Sequence, residues 1–591
     1  MSETNYQLIT TAEELRAAIT ELERHQVIGF DTETTSLDPY GGRLRLIQLA
    51  APGAPVRIVD LDGFANGDPK QSETLAPLRD LLAASRPVKV AHNAKFDAKW
   101  VKHTLGVELG GLFDTLLASQ LISAGDQDER HGLDAVVPRY LDETMDKAER
   151  LSDWSGELSE AQLQYAARDA LVLLPLRERM IERLKAEALL RCAQLEFECV
   201  LPVASLELAG FYLDEKRWRE QLVKVEHERI RLADELQEML SVGAVQQTLF
   251  GRSDINLDSH VQLTEALKRL GVPVPDSTRN WKLQPLSQEY PVVAKLLEYR
   301  TVQKALTSFG ENILEEINPV TRRIHANFHQ IGAPTGRFAC TQPNIQQVPH
   351  SIEYRRCFRA PEGRKLIIND YSQIELRILA DFTGDQGFID AFNSGADLHR
   401  VTAAQVFNVP LEKVTKDQRD FAKRLNFGVV YGIGAQRFSM MTGLKLSDAE
   451  DILRKYFATY RQLDTWLRDA ANRAVRERTS RTASGRLARF RFDPEDRQAA
   501  SLAQRNGKNN PIQGSSADIL KRALRLLHDK LRDTSAEIVN IVHDEIVVEA
   551  DAAEAQGIAK VVEEAMCAAG EEYVKRVPIK VESEVADEWV K

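Results

Sequence analysis

Carboxylates at the ends of β-branched runs are the residues of this chain best suited to chemistry. The first is Asp370, within Leu366-Ile-Ile-Asn-Asp-Tyr-Ser-Gln-Ile-Glu-Leu-Arg-Ile-Leu-Ala380. It sits where a short apolar run gives way to Ile374, Ile378 and Phe382 at four-residue spacing, a strand turning into a helix. Taken alone, such an aspartate fits two roles, a helix N-cap or a rigidly held ligand. The second site lies far along the chain, in Ile538-Val-Asn-Ile-Val-His-Asp-Glu-Ile-Val-Val-Glu549. Two β-branched runs flank His543, Asp544 and Glu545, which predicts a hairpin with three polar residues at its tip. That tip lacks the Asn-Gly or Asp-Gly of a tight turn. Two acids on rigid strand ends suit phosphoryl transfer. Mg²⁺ prefers oxygen ligands, and two such ions about 3.5–4 Å apart can stabilise both the attacking and the leaving oxygen.

Between the acids lies Gln418-Arg-Asp-Phe-Ala-Lys-Arg-Leu-Asn-Phe-Gly-Val-Val-Tyr-Gly432. Arg419, Lys423, Phe427 and Tyr431 follow at four-residue steps, which predicts a helix carrying one stripe roughly 18 Å long. Two cations followed by two aromatics suit a nucleoside triphosphate, phosphates at one end and base at the other. A plain amphipathic helix would carry Leu or Ile there.

Asp-Tyr-Ser-Gln-Ile-Glu-Leu-Arg, Arg-x3-Lys-x3-Phe-Gly-x2-Tyr-Gly and Val-His-Asp-Glu, in that order, resemble the three polymerase motifs of family A DNA polymerases. The resemblance implies that Asp370, Tyr371 and Asp544 hold two Mg²⁺ ions, with Mn²⁺ as an alternative, and that Glu545 and His543 support the metals and the primer end. Arg419, Lys423 and His399 would hold the triphosphate, and Lys423 would protonate the departing pyrophosphate. Phe427 and Tyr431 would stack near base and sugar, with Gln373 beside them, and Glu375 would exclude a 2′-hydroxyl. Thr335-Gly-Arg337 matches the loop whose arginine contacts the primer end, and Arg505, Asn509 and Gln513 match the element that feels the templating pair. Two departures stand out: Ile541 replaces a glutamine common in relatives, and Gly485-Arg-Leu-Ala lacks their more continuous arginines.

The N-terminal part carries its own acids. Val27-Ile-Gly-Phe30 reads as a strand running into Asp31-Thr-Glu33, so the two carboxylates share a face if the strand continues. Arg45–Ala50 and Val56–Asp60 read as the next strands, and Val88 begins another that ends in a turn and a helix delivering Asp97. Tyr165 and Asp169 lie one helical turn apart. Singly these are ordinary surface or capping residues. As an ordered set they resemble the DEDD exonucleases of the tyrosine subtype. The resemblance implies that Asp31, Glu33, Asp97 and Asp169 are ligands of two metals and that Tyr165 positions the attacking water. Asp114 is assigned to scaffold.

The chain has 591 residues, 43% hydrophobic and 28% charged, with a net charge of −11. That is ordinary soluble composition, large enough for several cores. The acidic balance does not favour nucleic acid, but local positive surface is what binds a polyanion. Cys192, Cys199, Cys340, Cys357 and Cys567 show no metal-site spacing, as expected in a reducing cytosol. No signal peptide or membrane span is expected. From about Arg191 the pattern becomes helical. Trp218, Leu222, Val225, Leu232, Leu236 and Met239 predict an amphipathic helix pair. Arg473–Phe492, rich in arginine, is expected to face template phosphates. Pro275–Tyr290 is shorter and less like the family.

These readings predict a multidomain α/β and α+β protein. An RNase H-like exonuclease domain spans 1–190 and a right-hand polymerase domain 191–591. Within the latter the thumb lies at about 191–320, the palm at about 321–395 and 526–591, and the fingers at about 396–525. The resemblance implies a cytoplasmic monomer that extends primer-template DNA with dNTPs, proofreads 3′→5′, and lacks the 5′-nuclease domain of longer relatives. Two rivals are a stand-alone 3′→5′ exonuclease whose C-terminal half only binds duplex, and a non-catalytic DNA-binding scaffold.

Overall fold

The computed structural model describes residues 4–64, 67–126, 128–145, 152–242, 247–248, 251–252, 255–274, 277–349, 352–493 and 495–590. The first domain is built on a six-stranded sheet of β1 (Tyr6–Ile9), β2 (Val27–Thr34), β3 (Leu44–Ala50), β4 (Val56–Asp60), β5 (Val88–Ala91) and β6 (Leu112–Asp114). Its order is β1-β4-β3-β2-β5-β6. β2, β3 and β4 form the antiparallel meander, while β5 and β6 run parallel to β2. Helices α1 (Ala94–Leu105) and α2 (Glu160–Ala186) deliver further acids to it. α2 starts at a capping box formed by Ser159 and Gln162. Its approach to β2 depends on one glycine, because a Cβ at Gly29 would lie 2.0 Å from the Ala170 carbonyl oxygen. Any side chain there would push Asp169 away from Asp31.

α3 (Leu190–Ala209) joins the two halves. The sequence reading starts the thumb at 191, and α3 packs mainly on the first domain and the palm. Val200 and Ala204 enter the core of the first domain, and Cys199, Val203 and Leu206 enter the palm core. Glu207 pairs with Lys95 and Lys99 of α1 across the junction. Next comes α4 (Glu215–Ser241), a single helix that carries all six apolar residues expected on a pair. Its first turns put Trp218 and Leu222 into the palm core. Its later ones pack Leu232, Leu236 and Leu240 against Val293 and Leu296 of α5 (Pro291–Ser308), the centre of a separate thumb core. The atypical segment from Pro275 begins on two residues outside those described.

The palm strand β7 (Arg364–Tyr371) runs into α6 (Ile374–Thr383), the predicted junction. Gln373 turns the corner in the left-handed region at φ 57°. The fingers follow, including α7 (Leu398–Phe407) and α8 (Lys416–Val430). α9 (Arg497–Leu531) then leads back to β8 (Glu537–Val542), β9 (Glu545–Asp551), α10 (Ala555–Glu571) and β10 (Val581–Ala586). The palm sheet is antiparallel in the order β8-β9-β7-β10. Its Ile367, Val548 and Ile538 belong to one large core with Leu520 and Leu524 of α9 and Val562 and Met566 of α10.

Candidate active sites

In the palm, strand register builds the site. Asp370, at the end of β7, lies directly opposite Glu545 on β9 and Glu582 on β10. Opposed residues of antiparallel strands share a face, so Asp370 and Glu545 point the same way. The hairpin differs from the three-residue tip expected. Only His543 and Asp544 form the turn, His543 at φ 56° taking the left-handed role usually given to Asn or Gly. Glu545 already pairs with Val542. The Tyr371 N–H donates to the Asp544 carbonyl at 3.3 Å, tying the turn to β7. The Tyr371 hydroxyl donates to the Met566 carbonyl at 2.7 Å. Its side chain is therefore anchored in α10, which leaves the backbone oxygen as its only means of serving as a ligand.

Burial, then the charge of Asp370, pushes the Asp544 carboxyl up to about 7. Such mutual repulsion marks a place where negative charge is concentrated and cation binding is favoured. Behind it, the Trp589 indole donates to Glu545 at 2.8 Å, and the Arg355 guanidinium stacks over the Trp589 ring at 4.2 Å. No local spacing in the sequence signalled Trp589 or Arg355, since both reach Glu545 through tertiary packing.

α8 carries the predicted stripe, with Tyr431 just past its last turn. Lys423 is exposed, while Arg419 is partly buried and pairs with Asp397 at 2.6 Å. His399, the residue expected to touch the triphosphate, is held by its neighbours. It is 2% exposed, bonded through Nδ1 to Asn426 at 3.0 Å, and packed 5.8 Å from the Phe427 ring. Burial lowers its pKa to about 4, so any hydrogen bond it makes at neutral pH comes from an uncharged ring. Arg337 and Glu375 form an ion pair. Tyr431 joins them: burial, then the charge of Glu375, pushes its hydroxyl up to about 12. Arg505, Asn509 and Gln513 stand at four-residue steps on α9, hence on one face.

The arginine-rich segment does not simply face outward. Arg486 is buried, while Arg489 pairs with Glu187 and Arg491 with Asp126 and Glu129 of the first domain. Arg473, Arg476 and Arg478 remain exposed.

In the first domain β2 stays extended through Thr34, so Asp31 and Glu33 do share a face. Asp97, from the first turn of α1, accepts a hydrogen bond from Thr32 at 2.6 Å. Asp114 is scaffold, as expected: it caps the helix Thr115–Ser123 and accepts from the Ala94 N–H at 2.8 Å, orienting α1. Burial, then Asp97, Glu33 and Asp169, hold Asp31 well above the usual carboxylate range. Glu33 is raised by burial, Asp169 and Asp97. Tyr165 is raised by burial and by Asp169, Glu33 and Asp31, so it stays a phenol.

Both sites offer oxygen donors only, the preference of a hard divalent cation. Among the described residues no three His, Cys, Asp or Glu are gathered closely enough to hold a metal ion by themselves. Asp97 and Asp169 are nonetheless close enough to raise the pKa of both Asp31 and Glu33, so shared positive charge would relieve them.

A palm, fingers and thumb built around one acid pair, joined to an RNase H-like domain with a second acid set, define a polymerase carrying a separate nuclease site. The family model of DNA polymerase family A matches residues 222–591, and that of the 3′-5′ exonuclease matches 6–185. DNA polymerase I of Aquifex aeolicus is 32% identical, over 99% of this chain and 100% of its own length. That of Pseudomonas aeruginosa is 29% identical, over 100% of this chain and 66% of its own. A solved structure, the POL domain of Pol1 from M. smegmatis in complex with DNA primer-template and dNTP, superposes with a TM-score of 0.85 at 26% identity. It covers 98% of this chain and 99% of that one. The chain belongs to DNA polymerase family A. It is a DNA-directed DNA polymerase with a 3′-5′ exonuclease domain, and the reading as a stand-alone exonuclease is not favoured.

Proposed function

We propose that the palm site extends the 3′ end of primer-template DNA with dNTPs through Asp370, Asp544 and the Tyr371 backbone, and that the first domain removes a mispaired end through Asp31, Glu33, Asp97 and Asp169. When bound at such carboxylates, two divalent cations lower the pKa of the attacking oxygen and neutralise charge on the leaving one. Arg419, Lys423 and His399 receive the triphosphate, and Lys423, exposed one turn further on, protonates pyrophosphate. Incoming phosphate competes with Asp397 for Arg419. Phe427 and Tyr431 hold base and sugar, with Gln373 at the α6 corner, and Arg505, Asn509 and Gln513 meet the template-primer pair. His543, at the turn, meets the primer end. Tyr165, kept protonated, donates to the hydrolytic water. The exonuclease domain extends to about 189, α3 is a connector, and the thumb proper begins near Glu215. The protein acts as a cytoplasmic monomer.

The observation that carries this reading is the register that sets Asp370 beside the Asp544 turn, about 170 residues apart in sequence. The test is single-turnover extension by Asp370→Ala, Asp544→Ala and the double variant, with DNA affinity measured alongside. Each single change should nearly abolish extension, the double should be little worse, and binding should persist. Near-normal extension by either single variant removes that residue from the site.

A further inference from the structure

Away from both acid sites, four ionisable side chains meet with almost no exposed surface. Arg486 pairs with Glu196 and, at 2.7 Å, with Asp518. Lys521 pairs with Glu196 and donates to the Gly336 carbonyl at 2.7 Å. Glu196 also accepts from Gln330 at 3.0 Å, and Asp518 from Thr482 and Ser484, each at 2.6 Å. Glu196 belongs to α3, Arg486 to the hairpin Thr479–Arg489, and Asp518 and Lys521 to α9. Burying so many charges is a weak device for stability, because apolar residues of similar volume often serve as well. A positional role accounts better for them.

What they position is a loop. Gly336 lies in the left-handed region at φ 81°, and a Cβ there would be 2.5 Å from Arg486 Nε. Lys521 holds the carbonyl of that same residue and lies 5.3 Å from the Phe338 ring. A Cβ on Gly514 would come within 2.9 Å of the Thr335 carbonyl. The backbone on both sides of Arg337 is thus seated on the cluster, while the Arg337 side chain reaches out to Glu375. We propose that Lys521 and Arg486, locked by Glu196 and Asp518, are positioning residues that hold Arg337 where it reads the primer end. This rests on the assignment of Arg337 to the primer terminus. The four side chains are buried within the protein, so on this proposal their effect on extension passes through Arg337.

The test is a double-mutant cycle of Lys521→Met and Arg337→Ala, read as kcat/KM for adding one nucleotide to matched and mismatched primer ends. Digestion of single-stranded DNA by the same samples reports folding. Lys521→Met should lower matched-end extension about tenfold and narrow the matched-to-mismatched ratio, while single-strand digestion changes less than about twofold. On an Arg337→Ala background the same change should cost less than about twofold more. Gly336→Ala, which keeps all four charges but pushes the loop off Arg486, should reproduce the Lys521→Met pattern. Losses that multiply in the double variant overturn the proposal. If Lys521→Met loses digestion as well, Gly336→Ala and its double with Arg337→Ala decide, and multiplied losses there overturn it equally. An Arg337→Ala variant that extends matched and mismatched ends normally would instead remove Arg337 from the primer end.

Discussion

Glu375 should be a sugar gate whose stiffness comes from its partners. The side chain stands in the first turn of α6, 7% exposed, with Arg337 on one oxygen and Tyr431 beside it. A ribonucleotide brings a hydroxyl into the space that Glu375 occupies in this reading, and the carboxylate can yield only by leaving Arg337. Breaking a buried pair costs about 3–5 kcal/mol. The Arg337 side chain is 32% exposed, and water screens part of that. About 2–3 kcal/mol remains, and at 1.36 kcal/mol per tenfold this is roughly 30- to 150-fold in selectivity. Glu375→Ala should therefore raise the ratio of rNTP to dNTP kcat/KM by about that factor. Glu375→Gln, which keeps the bulk but loses the ion pair, should fall between. Arg337→Ala should also loosen the gate, by about tenfold, although the arginine need not touch the sugar. The assay is single-nucleotide incorporation of each rNTP and dNTP on one primer-template. An unchanged ratio in Glu375→Ala refutes the gate. An unchanged ratio in Arg337→Ala leaves the gate but refutes the ion pair as its anchor.

Three further outcomes are expected. Asp31→Ala combined with Glu33→Ala should lose primer digestion and extend normally, and parallel loss of both activities would count against two independent sites. Phe427→Tyr should narrow the gap between ddNTP and dNTP use, measured as relative kcat/KM, because by family resemblance tyrosine variants at this position accept dideoxynucleotides. Lys89, buried on β5, has its pKa lowered by burial from 10.5 to about 8. The unfolded chain therefore holds the extra proton between pH 8 and 10.5, and stability should rise with pH across that window. Below it the burial penalty approaches about 3 kcal/mol. Lys89→Met should raise the urea midpoint of the first domain at pH 7 by about 2 kcal/mol equivalent, less near pH 10.5, and a lower midpoint at pH 7 would contradict this.

Much of both sites was legible because their residues lie where periodicity changes. Asp370 ends an apolar run, Asp31 and Glu33 alternate along a strand, and the α8 stripe repeats every four residues, so local geometry marked them as candidates and the family resemblance gave them their roles. The hairpin tip was misread because His543 adopts a positive φ that its residue type does not announce. The burial of His399, and its hydrogen bond to Asn426 on a different helix, had no signal in its local sequence. The arginine segment illustrates the same limit. Charge density suggested phosphate contacts, but Arg486, Arg489 and Arg491 meet acids from Asp126 to Asp518, partners that no local pattern reveals. Likewise α4 reads as two helices because its apolar face serves two cores, and the stripe shifts where it passes from one to the other.

The connector α3 explains how two sites on separate cores keep a defined relation. Its Glu207 clamps Lys95 and Lys99, residues of the helix that carries Asp97, so the exonuclease acids are referenced to α3. Its Glu196, about three turns earlier, holds Lys521 and Arg486, so the loop of Arg337 is referenced to the same helix. The Glu196 set is buried and the Glu207 set joins a buried carboxylate to two partly buried lysines, so salt screens them little and losing one partner is costly. Apolar residues between them bury against both cores, which resists sliding of one domain on the other. A hinge between the sites would have to break charge pairs and open two cores at once. The junction therefore acts as a rigid frame, and under the proposed assignment of Asp31 and Asp97 a mispaired end has to reach them by movement of the DNA strand itself.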